Sequence, residues 1–274
     1  MQETKRERVA VITGSTRGIG RGLAEAFLDE GTKVGICGRT AEGVEAAVTE
    51  MGERAGPDRV WGMACDVRQR DQLQNLWESA VARFGRVDIW VNNAGVGLPQ
   101  GSIWEGDLEA CRATIETNLW GTVLGSVVAV RGMLVQGGGS IFNMEGLGSD
   151  GRMVDGLAIY GTTKYGLDYF NRALIEETRD TAVHVGTLSP GMVVTDMTDV
   201  RYPEGSAEGK RFRRVMNLIG DRVENVTPWL ANQMLSHKEH GARIKYLTFG
   251  RMLRRMVAAP FRQRDVFREA PPGG

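Results

Sequence analysis

The chain has 274 residues, 42% of them hydrophobic, and its 34 lysines and arginines balance 34 aspartates and glutamates. That is enough apolar material for a substantial core, and the neutral balance gives no reason to expect nucleic acid as a partner. No run of about 18 apolar residues marks a membrane span. The charged start, Met1 to Arg8, has no apolar signal region, so a cytoplasmic protein is expected. Cys37, Cys65 and Cys111 have no metal-ligand spacing and read as reduced structural thiols, and no metal is expected.

In chain order, Arg8 to Thr13 is a short apolar run, read as a buried parallel strand. Gly14 to Gly20 follow, then a helix from Arg21 to Asp29 that Gly31 ends. Lys33 to Cys37 is the second strand, and Thr40 can cap a helix reaching about Glu53. Arg59 to Cys65 is the third strand, followed by a helix from Asp71 to Phe84. Val87 to Val91 is the fourth strand, ending in Asn92-Asn93-Ala94-Gly95. A helix is predicted from Leu108 to Val135, with a break near Asn118. Ser140 to Met144 is the fifth strand, Ile159 to Thr178 a helix, Val183 to Leu188 the sixth strand and Arg243 to Leu247 the seventh. Strands alternating with helices throughout imply an α/β fold with a doubly wound parallel sheet of seven strands.

Two stretches break the alternation. Residues 195–225 are polar and follow a strand end, where open α/β sheets place ligands. They read as a lid over a site, with Met192, Met197 and Met216 as adaptable apolar lining or as ordinary core. From Gly250 to Arg268, apolar residues mix with six arginines. This tail reads as a basic amphipathic helix, suited to a peripheral membrane contact or to a neighbouring subunit with its arginines in solvent. Pro260 would break or kink it. Residues 1–250 are therefore taken as one domain including the lid, and 251–274 as a basic C-terminal tail. The histidines, His184 in a strand and His237 and His240 at a helix end, read as structural and solvated respectively.

The chemistry starts at Thr13-Gly14-Ser15-Thr16-Arg17-Gly18-Ile19-Gly20. Glycine lets the backbone turn tightly and approach a pyrophosphate, and the helix that follows offers its N–H groups to that anion. A glycine loop set between a strand and a helix at the head of a βα series points to a dinucleotide. At the end of the second strand, an acid would hold the ribose of NAD. This chain has Gly38-Arg39-Thr40 instead, and Arg39 with Arg17 favours the 2′-phosphate of NADPH/NADP+. Tyr160 and Lys164 leave one helix face a turn apart. A free phenol has a pKa of about 10, and a neighbouring ammonium favours its ionised form, which suits proton transfer.

With these pieces the chain resembles the short-chain dehydrogenase/reductase family, over about residues 8 to 250. The resemblance rests on Thr13-Gly-x-x-x-Gly-Ile-Gly20, Asp66-Val67, Asn92-Asn-Ala-Gly95, Asn118, Tyr160-x-x-x-Lys164 and Pro190-Gly191, all in family order. It implies a single-domain Rossmann fold, an enzyme acting on CH–OH or carbonyl groups, a small-molecule carbonyl substrate and a homo-oligomer. By the same resemblance Asp66 and Val67 contact adenine, and Asn93, Ala94 and Gly95 support the adenosine ribose. Tyr160 is the acid/base, Lys164 binds the nicotinamide ribose, and Asn118 holds a water of the proton relay. Pro190, Gly191, Val193 and Thr195 lie at the nicotinamide, the last two at its carboxamide.

One family feature is missing. The serine expected about thirteen residues before the tyrosine is replaced by Glu145-Gly146, and Ser149 is the nearest hydroxyl. It could substitute if the loop folds back. Glu145 is a lesser acid/base candidate, with loop capping as its plain role. Phe142-Asn-Met-Glu-Gly-Leu-Gly-Ser-Asp-Gly151, Tyr160 to Leu167, Ser189 to Asp196 and Ile244 to Thr248 resemble the chlorophyll b reductase branch. Those enzymes reduce a formyl group to hydroxymethyl, which implies a bulky apolar carbonyl compound as substrate. Reductases or dehydrogenases of small hydroxyl compounds, steroids or 3-oxoacyl thioesters are the alternative within enzymes. A non-catalytic NADP(H)-binding sensor or scaffold is the alternative outside them.

Overall fold

The structure is a computed structural model that describes residues 7–97, 101–199, 205–237, 239–259 and 264–267. The seven predicted strands are β1 (Val9–Ile12), β2 (Lys33–Gly38), β3 (Val60–Ala64), β4 (Ile89–Asn92), β5 (Gly139–Met144), β6 (Val183–Ser189) and, last, β9 (Arg243–Lys245). They form one parallel sheet in the order β3-β2-β1-β4-β5-β6-β9. A second, two-stranded parallel sheet pairs β7 (Val193–Val194) with β8 (Asp221–Arg222). The order turns back between β1 and β4, and that switch point opens a crevice at the carboxyl ends of the strands.

The helices are α1 (Gly18–Asp29), α2 (Ala41–Ala55), α3 (Arg70–Phe84), α4 (Leu108–Ile115), α5 (Gly121–Gln136), α6 (Ala158–Glu177), α7 (Asp196–Asp199), α8 (Ala207–Ile219), α9 (Val223–Ser236) and α10 (Phe249–Ala258). Strand residues alternate between the two sheet faces. Ala10 and Ile12 of β1 face a cluster with Leu23 and Phe27 of α1 and Leu230 of α9. Val11 faces the opposite cluster, with Leu76 and Trp77 of α3, Val128 of α5 and Leu174 of α6. Both faces are covered, which is why the strands read as unbroken apolar runs.

Four details depart from the sequence reading. The predicted break near Asn118 is a five-residue π turn, Glu116–Trp120, that joins α4 to α5 without ending the helix. Leu108–Gln136 is long and apolar enough to cross a membrane, with a mean hydropathy of 1.4 over 18 residues, unlike the expectation from apolar runs. Half of that window is buried inside the fold. Part of the stretch read as a lid is helical: α8 starts at Ala207 and is capped by Ser206, whose Oγ accepts from the Gly209 N–H at 3.0 Å, and Met216 is buried as core. His240 is only partly exposed, its Nε2 lying 2.7 Å from the Ile175 carbonyl, so it ties the loop before β9 to α6.

The tail differs most. Among the described residues Arg254 faces solvent, but Arg251, Arg255 and Arg264 turn inward. Arg251 lies over the rings of Tyr246 and Trp229, at 3.9 and 5.1 Å from their centroids. Arg255 donates to the carbonyls of Ile219 and Gly220 and pairs with Asp221. Farther on, Arg264 donates to the Gly220 carbonyl, and the Val266 N–H to Asn217 Oδ1 at 3.0 Å. Pro260 and Phe261 lie outside the described residues.

Candidate active site

The glycine loop sits at the switch point. Gly14 (φ +62°) and Gly18 (φ +57°) adopt backbone that favours glycine. A Cβ on Gly14 would lie 2.7 Å from Ala94 Cα, and one on Gly20 2.3 Å from the Gly14 carbonyl oxygen, so the loop closes against the end of β4. Asn93 holds it there, donating from Nδ2 to the carbonyls of Thr13 and Gly14, both at 2.9 Å. Thr13 Oγ1 accepts from the N–H groups of Asn93 and Ala94, each at 3.1 Å. Asn93 therefore shapes the loop, a role the sequence reading did not give it. Ser15 also points inward, its Oγ donating to the Ile12 carbonyl and accepting from the Cys37 N–H.

What remains open is the start of α1. No side chain caps it and its first turn has no acid, so its N–H groups and positive dipole end are left for an anion. Among the described residues a Cβ on Gly18 would meet only Thr195, at 3.7 Å, so a side chain there would fill space between loop and lid. A dinucleotide pyrophosphate fits this cradle. Val193 is buried, and Gly191 (φ +78°), just after the buried Pro190, packs so tightly on Leu247 that a Cβ would come within 2.6 Å.

The ends of β2 and β3, where the adenosine is expected, are lined with charge. Arg39 is exposed after β2, and Thr40 caps α2 by accepting from the Gly43 N–H at 3.3 Å. Asp66 is gripped by Arg68, which the sequence reading missed, with contacts of 2.5 to 3.0 Å. The Arg68 guanidinium holds the Asp66 carboxyl below its usual range, with Arg39 contributing at longer range. Val67 packs on α5, where a Cβ on Gly121 would meet it at 2.8 Å. Arg17 is turned to Asp196, 3.8 Å away, with both side chains exposed. Such a pair is weak and exchangeable.

Tyr160 and Lys164 lie on α6. Lys164 is buried, its Nζ donating to the Met144 carbonyl at 3.1 Å and standing 5.8 Å from the Tyr160 ring centre. Burial pushes the ammonium down to about 8, while the charge of Glu145 works against that fall. Glu145 is itself buried and receives Arg243 Nε at 3.0 Å. Arg243 also bridges to Asp168 at 2.8 Å. This Glu145–Arg243–Asp168 cluster behind Lys164 was not anticipated, and its only sequence signal is a charged residue inside an apolar strand end.

Gly146 explains the missing serine in space. A Cβ there would lie 2.6 Å from the Tyr160 hydroxyl and 2.9 Å from Lys164 Cε. The phenol and the lysine stem thus converge on the gap that this glycine leaves. Ser149 does fold back: its Oγ accepts from the Gly146 N–H at 3.0 Å, and it is buried. Asn118 sits in the π turn, with its side chain locked to Val96, accepting from its N–H at 2.8 Å and donating to its carbonyl at 2.9 Å. Behind the site, Asn92 donates to Ser126 and Asn143, and Asn143 to Asn171, all buried.

Comparison with known proteins agrees with this geometry. Residues 8–204 match the short chain dehydrogenase family. A probable chlorophyll(ide) b reductase NYC1, chloroplastic, of Oryza sativa subsp. japonica is 35% identical over 278 residues, 96% of this chain. The chain spans about half of that relative's length, 54%. Among solved structures, a variant of the actinorhodin polyketide ketoreductase with NADPH superposes at TM-score 0.77, with 28% identity over 88% of this chain and 95% of the other. The 3-ketoacyl-(acyl-carrier-protein) reductase of Brucella melitensis complexed with NADH gives TM-score 0.77 and 25% identity over 89% and 98%. With the cradle, the Tyr160–Lys164 pair and this match over most of its length, the chain belongs to the short-chain dehydrogenase family and is an oxidoreductase resembling its chlorophyll b reductase branch.

Proposed function

We propose that the chain is an NADPH-dependent reductase of a bulky apolar aldehyde or ketone. The observation that carries this reading is the convergence of the Tyr160 hydroxyl and Lys164 on the gap above Gly146, beside a cradle suited to a dinucleotide. The loop at residues 14–20, Val193 and Thr195 would hold the cofactor, with Asp66, Val67, Ala94 and Gly95 around its adenosine. Arg39 after β2, with no acid in its place, supports the 2′-phosphate form. When bound, the nicotinamide supplies the hydride.

The protein's part is position and protons. Tyr160 donates its proton to the carbonyl oxygen as negative charge gathers there. An ordinary phenol, with a pKa of about 10, gives up that proton reluctantly, and the ammonium of Lys164 stabilises the phenolate left behind. Burial works against the Lys164 charge, and Glu145 opposes that loss. A water at the Asn118 turn returns a proton to Lys164. Ser149 keeps a hydroxyl proton to orient the substrate oxygen, although it is buried and staples its own loop.

Exposed apolar side chains lie on the segments that flank Gly146 and Thr195 in the chain. Leu147 and Met153 on the loop after β5 and Met197 on the lid are exposed. Trp104, also exposed, stands on a loop tied to the one after β5 by the Gly101 N–H donating to the Gly156 carbonyl at 3.2 Å. These surfaces suit a large flat carbonyl compound such as a formyl tetrapyrrole, in keeping with the name of the rice relative. The ketoreductase names among the structural neighbours support a second reading, the ketone of an acyl thioester.

The test is dinucleotide oxidation with NADPH and NADH against a formyl tetrapyrrole, simple aldehydes and a 3-oxoacyl thioester. The first substrate is expected to react with NADPH, and Tyr160→Phe to lose about 10²–10⁴-fold in turnover. Full activity of Tyr160→Phe would overturn the mechanism. Tight dinucleotide binding with no turnover on any carbonyl would favour a sensor or scaffold.

A further inference from the structure

Helix α10 is folded inside out. Arg251 and Arg255, one turn apart, face the protein, on Tyr246, Trp229 and Asp221. At 100° per residue the opposite face carries Phe249, Leu253, Met256 and Val257, the i, i+4, i+7, i+8 spacing of an apolar stripe. These four side chains are 74%, 50%, 49% and 65% exposed. Soluble helices bury such a stripe, because apolar surface gains by leaving water. Here the cationic face has taken the inner position, held by ion pairing, stacking and carbonyl contacts.

The charge around the stripe selects an occupant. Helix α8 packs against α10, and with Arg251 and Arg255 turned inward the two helices still carry five basic residues and one acid, in a chain whose net charge is zero. Lys210, Arg211 and Arg214 of α8 and Arg254 of α10 are exposed. An apolar stripe bordered by excess positive charge matches an anionic lipid surface, where the stripe enters the acyl boundary and the cations meet headgroups. We propose that α10 and the basic side of α8 form a docking surface for an anionic bilayer. Its place beside the lid lets an apolar substrate pass from lipid toward the cleft. The inference deepens the apolar-substrate reading, but lipid binding is read without turnover, so either can fail alone.

The experiment is cosedimentation of the full chain with phosphatidylcholine vesicles, with and without phosphatidylglycerol, alongside its mass by light scattering. The expected result is binding to the anionic vesicles only, weakened by added salt as screening shortens the reach of the cations. Leu253→Glu with Val257→Glu should abolish it, and Arg254→Glu should weaken it by about fivefold or more. All three positions are exposed, and a thermal melt matching the parent confirms that the variants fold. No binding to anionic vesicles, binding that survives the double substitution, or equal binding to neutral vesicles would overturn the proposal. So would a wild-type dimer that the double substitution turns into monomer, because the stripe would then belong to a second copy.

Discussion

Lys164 does its work from inside the protein, and its neighbours decide how long it stays charged. Burial lowers its pKa to about 8, and Glu145 opposes the fall. The basic limb of the pH–rate profile should therefore follow loss of the Lys164 proton. Removing the carboxylate with Glu145→Gln takes away the raising influence, so the limb should move to lower pH, with little change on its acid side. A limb that stays in place would show that Glu145 only braces Arg243. Gly146 is the second decisive residue. Gly146→Ala places a Cβ 2.6 Å from the phenolic oxygen, and turnover should fall by about a hundredfold with dinucleotide affinity kept. At this scale the sequence displayed Tyr160, Lys164 and the glycine loop, because each carries a fixed spacing. It hid Arg68, Arg243 and the loop-shaping role of Asn93, whose partners are set only when distant strands meet.

At the scale of elements, the strands and most helices were legible because a sheet covered on both faces needs unbroken apolar strands between periodic helices. Helices α8 and α9 were less so. Phe212, Val215, Met216 and Ile219 of α8 have helical spacing, and Ser206 is a cap, but glycines and charges obscure them. Helix α9 carries Pro228 inside its first half. It packs so closely on α1 that a Cβ on Gly22 would come within 2.4 Å of Val223. The joint between α1 and β4 is tighter still. Gly20→Ala would drive a Cβ to 2.3 Å from the Gly14 carbonyl oxygen and 2.4 Å from Asn93 Nδ2. That overpacking should cost about 1–3 kcal/mol in a denaturant melt and spoil the pyrophosphate cradle, read as weakened dinucleotide binding by fluorescence.

At the scale of the whole molecule, Asp221 is the meeting point of lid, sheet and tail. Its N–H donates to the Met192 carbonyl at 2.8 Å, and it is the register partner of Val193 beside the cofactor cradle. Its carboxylate accepts from Tyr246 Oη and Asn225 Nδ2, both at 2.8 Å, and pairs with Arg255. Burial pushes its pKa up, but the hydrogen bonds from Asn225, Tyr246 and the Arg222 N–H, with the charge of Arg255, outweigh that and hold it low. Removing one partner of so buried a pair, as in Asp221→Ala, should cost about 3–5 kcal/mol. A group with a depressed pKa stabilises the fold above its unfolded value of about 3.9 and loses that contribution as pH falls through the folded one. The gap between wild type and Asp221→Ala should therefore narrow as pH falls below about 3.9 and stay wide at neutral pH, which melts at pH 3 and pH 7 would check. The pairing of Arg255 and Arg264 with Asp221 was not visible in the tail sequence, where the arginines read as solvent-facing.

The π turn at Glu116–Trp120 has a consequence for inheritance. Such a turn holds one residue more than an α-helix needs. Five residues in a π turn sweep about the same angle as four in an α-helix, so deleting a single codon there would leave Leu124, Val128 and Met133 facing the sheet as they do now. What would go is the wide turn itself, in which the Asn118 side chain reaches both the N–H and the carbonyl of Val96. The irregularity is thus dispensable to the core and matters only to the site.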